Sequence, residues 1–409
     1  MSPELGCASS TLASRGNLLK VLTIGHSYAV AGNRAVMREL ARDPEFEITL
    51  AAPASHAGDL RTVQCEPEPV SSKLKLVGLP ARWTTRIHIF HYAHIRLKEL
   101  VRSEKFDIIH SWEEPYILAG YQIALASAGL PAQFCFVTCQ NLPKKYLPPF
   151  SYFEKSVLRR SQGWIAIGRT VLDNLIARGY PAHRGRVLSL AVDPLAFAPK
   201  TQEDSTDVRR RLNLAGPVIG FVGRFVPGKG LRVLMQALER LNSSTDWSLL
   251  LLGSGPMERE IHSWAVGRGW SGRVRTLLVR HDEVGEYLRA MDLLVAPSQT
   301  TPNWREQFGR MLVEALACGV PVIASDSGEI PHVIGNAGAI VHEGDVQQWS
   351  HEIERFLRNR ELRRMMAAAG QERARLFSVE ELARSHKEYF REIAGATTGC
   401  QAIEGSARA

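Results

Sequence analysis

No stretch of this sequence approaches the roughly 18 to 20 consecutive apolar residues that a membrane-spanning helix requires, which argues against a helical span. The N-terminus lacks a charged segment followed by an apolar one, so it does not read as a secretory signal. Cysteine is scarce, with six residues at positions 7, 65, 135, 139, 318 and 400 and no C-x-x-C pair. That spacing offers neither a disulfide framework nor a zinc ribbon. Cys135 and Cys139 lie four apart in an apolar run and read as buried thiols. His88, His91 and His94 recur at intervals of three on a helical pattern. They lack the H-E-x-x-H form and a carboxylate partner, so no metal site is expected. A reduced, cytoplasmic chain follows, with peripheral contact at the inner face of a membrane left open.

What is present is the mixture of an ordinary globular protein, 45% apolar and 22% charged over 409 residues. That length exceeds the size at which one core stops growing, so two domains are expected. Residues 1–17 show little periodicity and read as a disordered N-terminus, and 395–409 read as a flexible tail. The net charge of +8 is unevenly placed: residues 1–200 hold 24 Lys and Arg against 16 Asp and Glu, and 201–409 hold 26 against 26. The basic first half favours an anionic partner, such as a phospholipid surface, a phosphate-bearing acceptor or nucleic acid. A solvated basic face with no partner fits the same count.

Short β-branched runs alternate with helical patterns. Strands are expected at Leu18–Ile24, Phe46–Ala51, Lys73–Leu79, Phe106–Ser111, Gln133–Thr138, Gly163–Ile167 and Arg186–Ala191, with helices at Arg86–Arg102 and Pro115–Ala128. Near Asp193–Asp207 the pattern lapses into a polar, proline-bearing stretch. Strands then resume at Pro217–Gly223, Trp247–Gly253, Arg273–Arg280, Asp292–Pro297 and Val320–Ser325. Helical patterns follow at Leu231–Leu241, Met257–Gly267, Gly309–Cys318 and Gln347–Arg358. This alternation predicts an α/β chain of two Rossmann-like, doubly wound domains facing across a cleft. The expected divisions are a first domain over 18–195, a linker over 196–210, a second domain over 211–376 and a C-terminal helix over 377–394.

The most specific segment is N-W-R-E-Q-F-G-R-M-L-V-E-A-L-A-C-G-V-P-V-I-A-S-D-S-G-E-I-P, residues 303–331. Glu306 stands just before an expected helix and Glu314 about a turn and a half inside it. The uncapped amides around Phe308, Gly309 and Arg310 present the positive end of the helix dipole to an anionic diphosphate or a sugar hydroxyl. Ionised glutamates grip hydroxyls by accepting several hydrogen bonds. The second segment, G-F-V-G-R-F-V-P-G-K-G at 220–230, puts Arg224 and Lys229 on a loop between Gly223 and a helix start. Two cations there suit a diphosphate leaving group, which gains charge as its bond breaks. Gly223 to Lys229 also spells the opening of a P-loop, but Gly230 replaces the Ser or Thr that would hold Mg²⁺.

Weaker signals lie in the first half. Gly25, His26 and Ser27 open a loop after the first strand. His110 ends a strand and is expected at the cleft, although strand-end histidines as often satisfy a loop carbonyl. Gln140 and Asn141 follow the strand Gln133–Thr138 and offer amides to hydroxyls.

Taken together these segments resemble the retaining glycosyltransferases of family 4, whose fold is the two-domain GT-B fold. The resemblance covers roughly residues 18–394. The E-x7-E motif of that family matches Glu306 and Glu314, and its phosphate-binding pair matches Arg224 and Lys229. S-x-x-T-P-N-W-x-E-Q-F-G-R is similar to a bacterial subgroup in which many members build surface polysaccharides, and Ser378–Ile393 resembles the helix that crosses back to the first domain. The resemblance implies that Arg224 and Lys229 stabilise the departing diphosphate. Glu306, with the amides of Gln307 and Phe308, holds the donor sugar, Glu314 binds the ribose, and residues near Arg280–Glu283 lie by the base. It further implies metal-independent front-face transfer with retention, no cofactor beyond the donor substrate, and the leaving phosphate taking the acceptor's proton. Two departures stand out: Gln140 occupies the place of a family histidine, and Gly25-His26-Ser27 replaces a glycine pair.

The expected function is therefore sugar transfer from a nucleotide-diphosphate sugar to a saccharide or lipid-linked acceptor. A GT-B-like sugar-nucleotide epimerase, for which Glu113 and Glu114 are the notable carboxylates, and a non-catalytic nucleotide-sugar-binding scaffold are the alternatives. No nucleic-acid motif accompanies the basic half, so a nucleic-acid partner is not expected.

Overall fold

The computed structural model describes residues 18–57, 62–193, 196–199 and 202–406, with the backbone alone for 202–205 and 396–406. The N-terminal segment 1–17 lies outside the described residues, as do 58–61, 194–195, 200–201 and 407–409.

Two parallel sheets organise the chain. The first has seven strands in the spatial order Gly185–Val187, Gly163–Ala166, Gln133–Thr138, Ile108–Ser111, Leu19–Ile24, Phe46–Pro53 and Lys75–Leu79. The second has six, in the order Val274–Leu277, Ser248–Leu252, Val218–Val222, Leu293–Ala296, Val322–Ser325 and Ala339–Val341. Every pairing within both sheets is parallel. Sheets covered by helices on both faces need strands that are apolar on both faces, which is why residues 249–252 and the strand Leu293–Ala296 read as unbroken apolar runs. Each buried Leu, Ile or Val among them contributes about 1.5–3 kcal/mol.

Strand order reverses between Leu19–Ile24 and Ile108–Ser111 in the first sheet and between Val218–Val222 and Leu293–Ala296 in the second. Such reversals open a crevice at the carboxyl ends of the strands. The loops that begin at Gly25 and after Ser111 flank one crevice, and those that begin at Gly223 and Pro297 flank the other.

Three expectations shift. The helix expected over Arg86–Arg102 begins only at His94. Before it, His91–Tyr92 pairs antiparallel with Ala81–Arg82, because Gln122 bonds both the N–H (3.0 Å) and the C=O (2.8 Å) of Tyr92. His88, His91 and His94 thus lie on a turn, a strand and a helix start and share no helical face. Helix Gln202–Arg211 occupies most of the stretch read as linker, and the final helix runs Val379–Ser406, past Gly395. Cys135 is buried and Cys139 half-buried, and both are free thiols.

The final helix returns to the first domain. Val192 N donates to Phe377 O (2.9 Å), Lys387 pairs with Asp43, Arg391 with Glu45, and Arg186 with Glu392 (2.6 Å). Tyr389, Phe390 and Ile393 are buried against the first sheet, whose Gly163 leaves no room for a side chain beside the Tyr389 hydroxyl. His110 and His386 meet in this seam with ring centroids 6.4 Å apart, both fully buried. Burial lowers His110 to about 3, helped by the neighbouring His386, and His386 to about 4. Both rings are neutral in the folded chain, whereas an unfolded histidine gains a proton near 6.5. Their contribution is complete above pH 6.5 and is lost as pH falls toward the folded values. Each should cost about 2 kcal/mol between pH 6.5 and 5, so the thermal midpoint should fall over that window. His386→Leu should remove about half of the fall. A midpoint constant from pH 7 to 5 would contradict neutral rings.

Candidate active site

In the second sheet's crevice, strand Val218–Val222 leads into Gly223 and then a short turn, Pro227–Lys229. Gly230 follows with φ +75°, and a Cβ there would sit 1.7 Å from Pro297 O. Glycine at this point lets the turn press against the end of the neighbouring strand, and this close approach carries Lys229 inward. Lys229 Nζ donates to Glu306 Oε2 at 2.6 Å, and Ser298 Oγ donates to the same oxygen at 3.0 Å. The Trp304 ring lies beneath the ammonium at 5.1 Å. Both charged side chains are nearly enclosed, with 14% of Lys229 and 9% of Glu306 exposed. Arg224 stands exposed on the same loop.

Helix Arg310–Ala317 starts beside this pair. Gly309 precedes it with φ +80°, and no side chain caps its first amides. Phe308 is buried against Phe377, which anchors the loop, and Gln307 is exposed. Glu314 is 3% exposed, with Oε1 3.0 Å from His281 Nε2. Arg280 forks onto Asp282 (3.0 and 2.6 Å) at the surface. The structure thus brings Lys229, Glu306, Gln307, Phe308 and Gly309 together at one helix start, with Glu314 one turn further along, while Gly223 and Arg224 lie on the loop that carries Lys229. It also engages Ser298, Trp304 and His281, which the quoted segments contain but to which they assign no separate role.

The first domain closes the other side. Asn141 Nδ2 donates to Glu306 O (2.7 Å), Gln307 Nε2 to Cys139 O (2.8 Å) and Arg310 Nη1 to Asn33 Oδ1 (3.2 Å). Glu329, 3% exposed, makes the densest link. Its carboxylate accepts from Arg169 N (2.6 Å), Thr170 N (2.7 Å) and Thr170 Oγ1 (2.5 Å), so a residue of the second domain caps the first-domain helix Arg169–Ala177. Gly168 makes room, since a Cβ there would sit 2.4 Å from Glu329 Cδ. The letters S-D-S-G-E-I-P contain Glu329, but its partners lie about 160 positions away and no local pattern could name them.

Within the first crevice, His26 N and Nδ1 both meet the Glu113 carboxylate at 2.6 Å, next to Gly25 and Ser27. Gln140 is tied to the wall: Nε2 donates to Glu114 Oε2 (3.2 Å) and Oε1 accepts from Arg178 (2.5 Å). Glu114 also accepts from Thr138 Oγ1 and Cys139 N, both at 2.7 Å, and its burial pushes the carboxyl up. His110 departs from expectation. It does not open on the cleft but faces the final helix, with Nδ1 2.9 Å from Thr23 Oγ1 and its ring 5.5 Å from Phe390. No group of three or more His, Cys, Asp or Glu side chains is placed to hold a metal among the described residues. No helix among them is long and apolar enough to cross a membrane.

Two family models match in succession: "Glycosyltransferase Family 4" over residues 33–194 and "Glycosyl transferases group 1" over 203–373. Between them they span both domains, and the chain belongs to the family 4 glycosyltransferases. It is 27% identical over 376 residues to the phosphatidyl-myo-inositol mannosyltransferase of Mycobacterium leprae, covering 88% of this chain and 91% of that protein. To the D-inositol 3-phosphate glycosyltransferase of Salinispora tropica it is 32% identical over 246 residues, covering 55% of this chain and 50% of that protein. The chain spans about half the length of several curated relatives it matches. Among solved structures, Anabaena HepE in complex with UDP superposes with a TM-score of 0.70 at 19% identity, over 91% of this chain and all of that one. The fold is GT-B.

Proposed function

We propose that this chain transfers a sugar from a nucleotide-diphosphate sugar to a saccharide or lipid-linked acceptor, in polysaccharide or glycoconjugate biosynthesis. The observation that carries the reading is the enclosed Lys229–Glu306 pair beside the uncapped start of helix Arg310–Ala317. A diphosphate set between that helix start and the 223–230 loop meets backbone N–H donors, Lys229 and Arg224. As the bond to the sugar breaks, charge grows on the diphosphate, and fixed donors there stabilise it more than they stabilise the bound donor. Glu306 is held so that one oxygen serves Lys229 and Ser298, which leaves the other for a sugar hydroxyl. Glu314 and His281 lie further along, where a ribose is to be held.

Membership of family 4 supports transfer, and UDP in the Anabaena protein supports a nucleotide donor. Retention and independence of a metal rest on the family resemblance, with Arg224 and Lys229 supplying the positive charge. The epimerase alternative is less well supported, because the Glu114 carboxylate is already engaged by Thr138, Cys139 and Gln140. A cytoplasmic chain meeting an anionic membrane face is supported by exposed Leu147 and Tyr152 among exposed Lys144, Lys145, Lys155 and Arg159.

A panel of nucleotide diphosphates and their sugars should raise the thermal midpoint, and a nucleotide sugar that does so should be hydrolysed slowly in the absence of acceptor. Stabilisation only by ligands without a diphosphate would count against the reading. Activity unchanged by EDTA and an unchanged anomeric configuration in the product would test the mechanism. Co-sedimentation with anionic vesicles that is lost above about 0.5 M salt, where the Debye length is only a few ångströms, would test the membrane face.

A further inference from the structure

The loops after Leu19–Ile24 and Ile108–Ser111 meet where the strand order of the first sheet reverses, as the donor-side loops do in the second sheet. In this crevice Glu113 is 1% exposed and receives three hydrogen bonds: from His26 N (2.6 Å), His26 Nδ1 (2.6 Å) and the Tyr92 hydroxyl (2.7 Å). A buried carboxylate with three donors is offset in its desolvation, and it can only accept, so the His26 proton sits on Nδ1. The opposite nitrogen, Nε2, then carries a lone pair. It makes no hydrogen bond among the described residues, and 29% of the side chain is exposed. Phe90 and His56 pack on the ring at 5.9 and 5.0 Å and fix its plane.

Three other polar side chains of this wall are engaged or covered, whereas the buried Ser27 hydroxyl makes no hydrogen bond among the described residues. Gln140 uses both ends of its amide, Glu114 holds Thr138, Cys139 and Gln140, and His110 is buried under the final helix. Both loops that carry the dyad are linked to the donor helix. Ser27 O accepts from Asn33 Nδ2 (2.8 Å), and Asn33 Oδ1 accepts from Arg310. Glu114 holds Cys139 N, and Cys139 O accepts from Gln307.

We propose that His26, oriented by Glu113 and Tyr92, anchors a hydroxyl of the acceptor by accepting its hydrogen bond on Nε2. The assignment rests on the sugar-transfer reading and narrows it: while the ring is neutral the acceptor presents an uncharged O–H at this point, as a sugar or polyol does, and a phosphate oxygen would meet a repelling lone pair. Glu113 and Tyr92 are positioning residues, acting through the ring.

Protonation would abolish the anchor. The groups facing His26 are Glu113 and Glu114 on the second loop, Tyr92 on the short strand and His56 on the strand Ser55–Ala57. Burial disfavours the charged ring, but the Glu113 and Glu114 charges outweigh it, so His26 gains its proton above the usual 6.5. Acceptor use should therefore fall as pH drops through a value above 6.5.

The full chain should be assayed with octyl glycosides as acceptors and the nucleotide sugar that gives the largest thermal shift. His26→Ala should raise the acceptor KM about tenfold, the worth of one ordinary hydrogen bond, while the shift given by the nucleotide diphosphate stays the same. Glu113→Gln should move the acid limb of kcat/KM for the acceptor to lower pH, which a purely structural role would not do. An unchanged acceptor KM in His26→Ala, an unmoved limb in Glu113→Gln, or refusal of every glycoside by the parent protein would overturn the anchor. Loss of the diphosphate shift in the parent protein would instead overturn the sugar-transfer reading itself.

Discussion

Replacing Lys229 by alanine should reduce sugar transfer about 10²–10³-fold, the range found when one fixed donor is removed from a developing negative charge. The loss should appear mainly in kcat. Before reaction the ammonium is already balanced by Glu306 at 2.6 Å and rests on Trp304, so much of its attraction for a bound donor is offset. Once charge builds on the diphosphate, a cation held in an enclosed site gains more than it would in water. Arg224 remains in Lys229→Ala and keeps part of the effect, which places the expected loss below the sum of two cations.

The same substitution has a structural cost. Glu306 is left nearly enclosed with Ser298 as its side-chain partner, and breaking a buried pair costs up to about 3–5 kcal/mol. The 14% exposure of Lys229 lets water in, so about 2 kcal/mol is the better expectation. Stability and chemistry are separable. Glu306→Gln added to Lys229→Ala removes the stranded charge and should restore most of the melting temperature without restoring turnover. If Lys229→Ala transfers sugar within about threefold of the parent, less than 1 kcal/mol of barrier, the diphosphate role is wrong whatever happens to stability.

Much of this is legible in the sequence itself. Parallel strands buried on both faces are written as continuous apolar runs, and each expected strand of both sheets is present within a few residues of its limits. The Glu306 and Lys229 neighbourhoods were legible because each is local: a strand end, a glycine and a helix start in consecutive letters. What escaped was long-range. His91–Tyr92 became a strand because Gln122 supplies its hydrogen bonds, and no periodicity at 91 reports a residue at 122. His110 was expected at the cleft as the end of a strand. In the sheet it pairs in register with Thr23 and its side chain emerges on the face covered by the final helix, which only tertiary packing decides. The linker helix Gln202–Arg211 was hidden by a polar, charged composition, but Arg209 reaches Asp292 (2.6 Å) and ties it to the second domain. From the sequence Glu113 reads only as an epimerase carboxylate, because nothing there places His26 and Tyr92 against it.

The strongest long-range device is Glu329. Its carboxylate satisfies two backbone N–H groups and one hydroxyl at the start of helix Arg169–Ala177, and its own N–H donates to Glu306 O at 3.1 Å. One residue therefore fixes the first domain to the loop that carries the donor-side glutamate. Glu329→Ala would strand two enclosed N–H donors, and each hydrogen bond to a charged partner contributes about 1.5–3 kcal/mol. Water reaching the cavity offsets part of this, so a loss of about 2–3 kcal/mol in the joining of the domains is expected. Passed to the reaction, that is about 30–150-fold in kcat/KM. Glu329→Gln should be nearly as poor, since one end of the amide would bring N–H against N–H. A contribution confined to capping one helix makes a different prediction: the melting temperature falls while kcat/KM at a permissive temperature stays within about twofold. That outcome would reduce Glu329 to a cap. A kcat/KM that falls by more than tenfold at a temperature where the variant is fully folded would make it the clamp that sets donor and acceptor walls against each other.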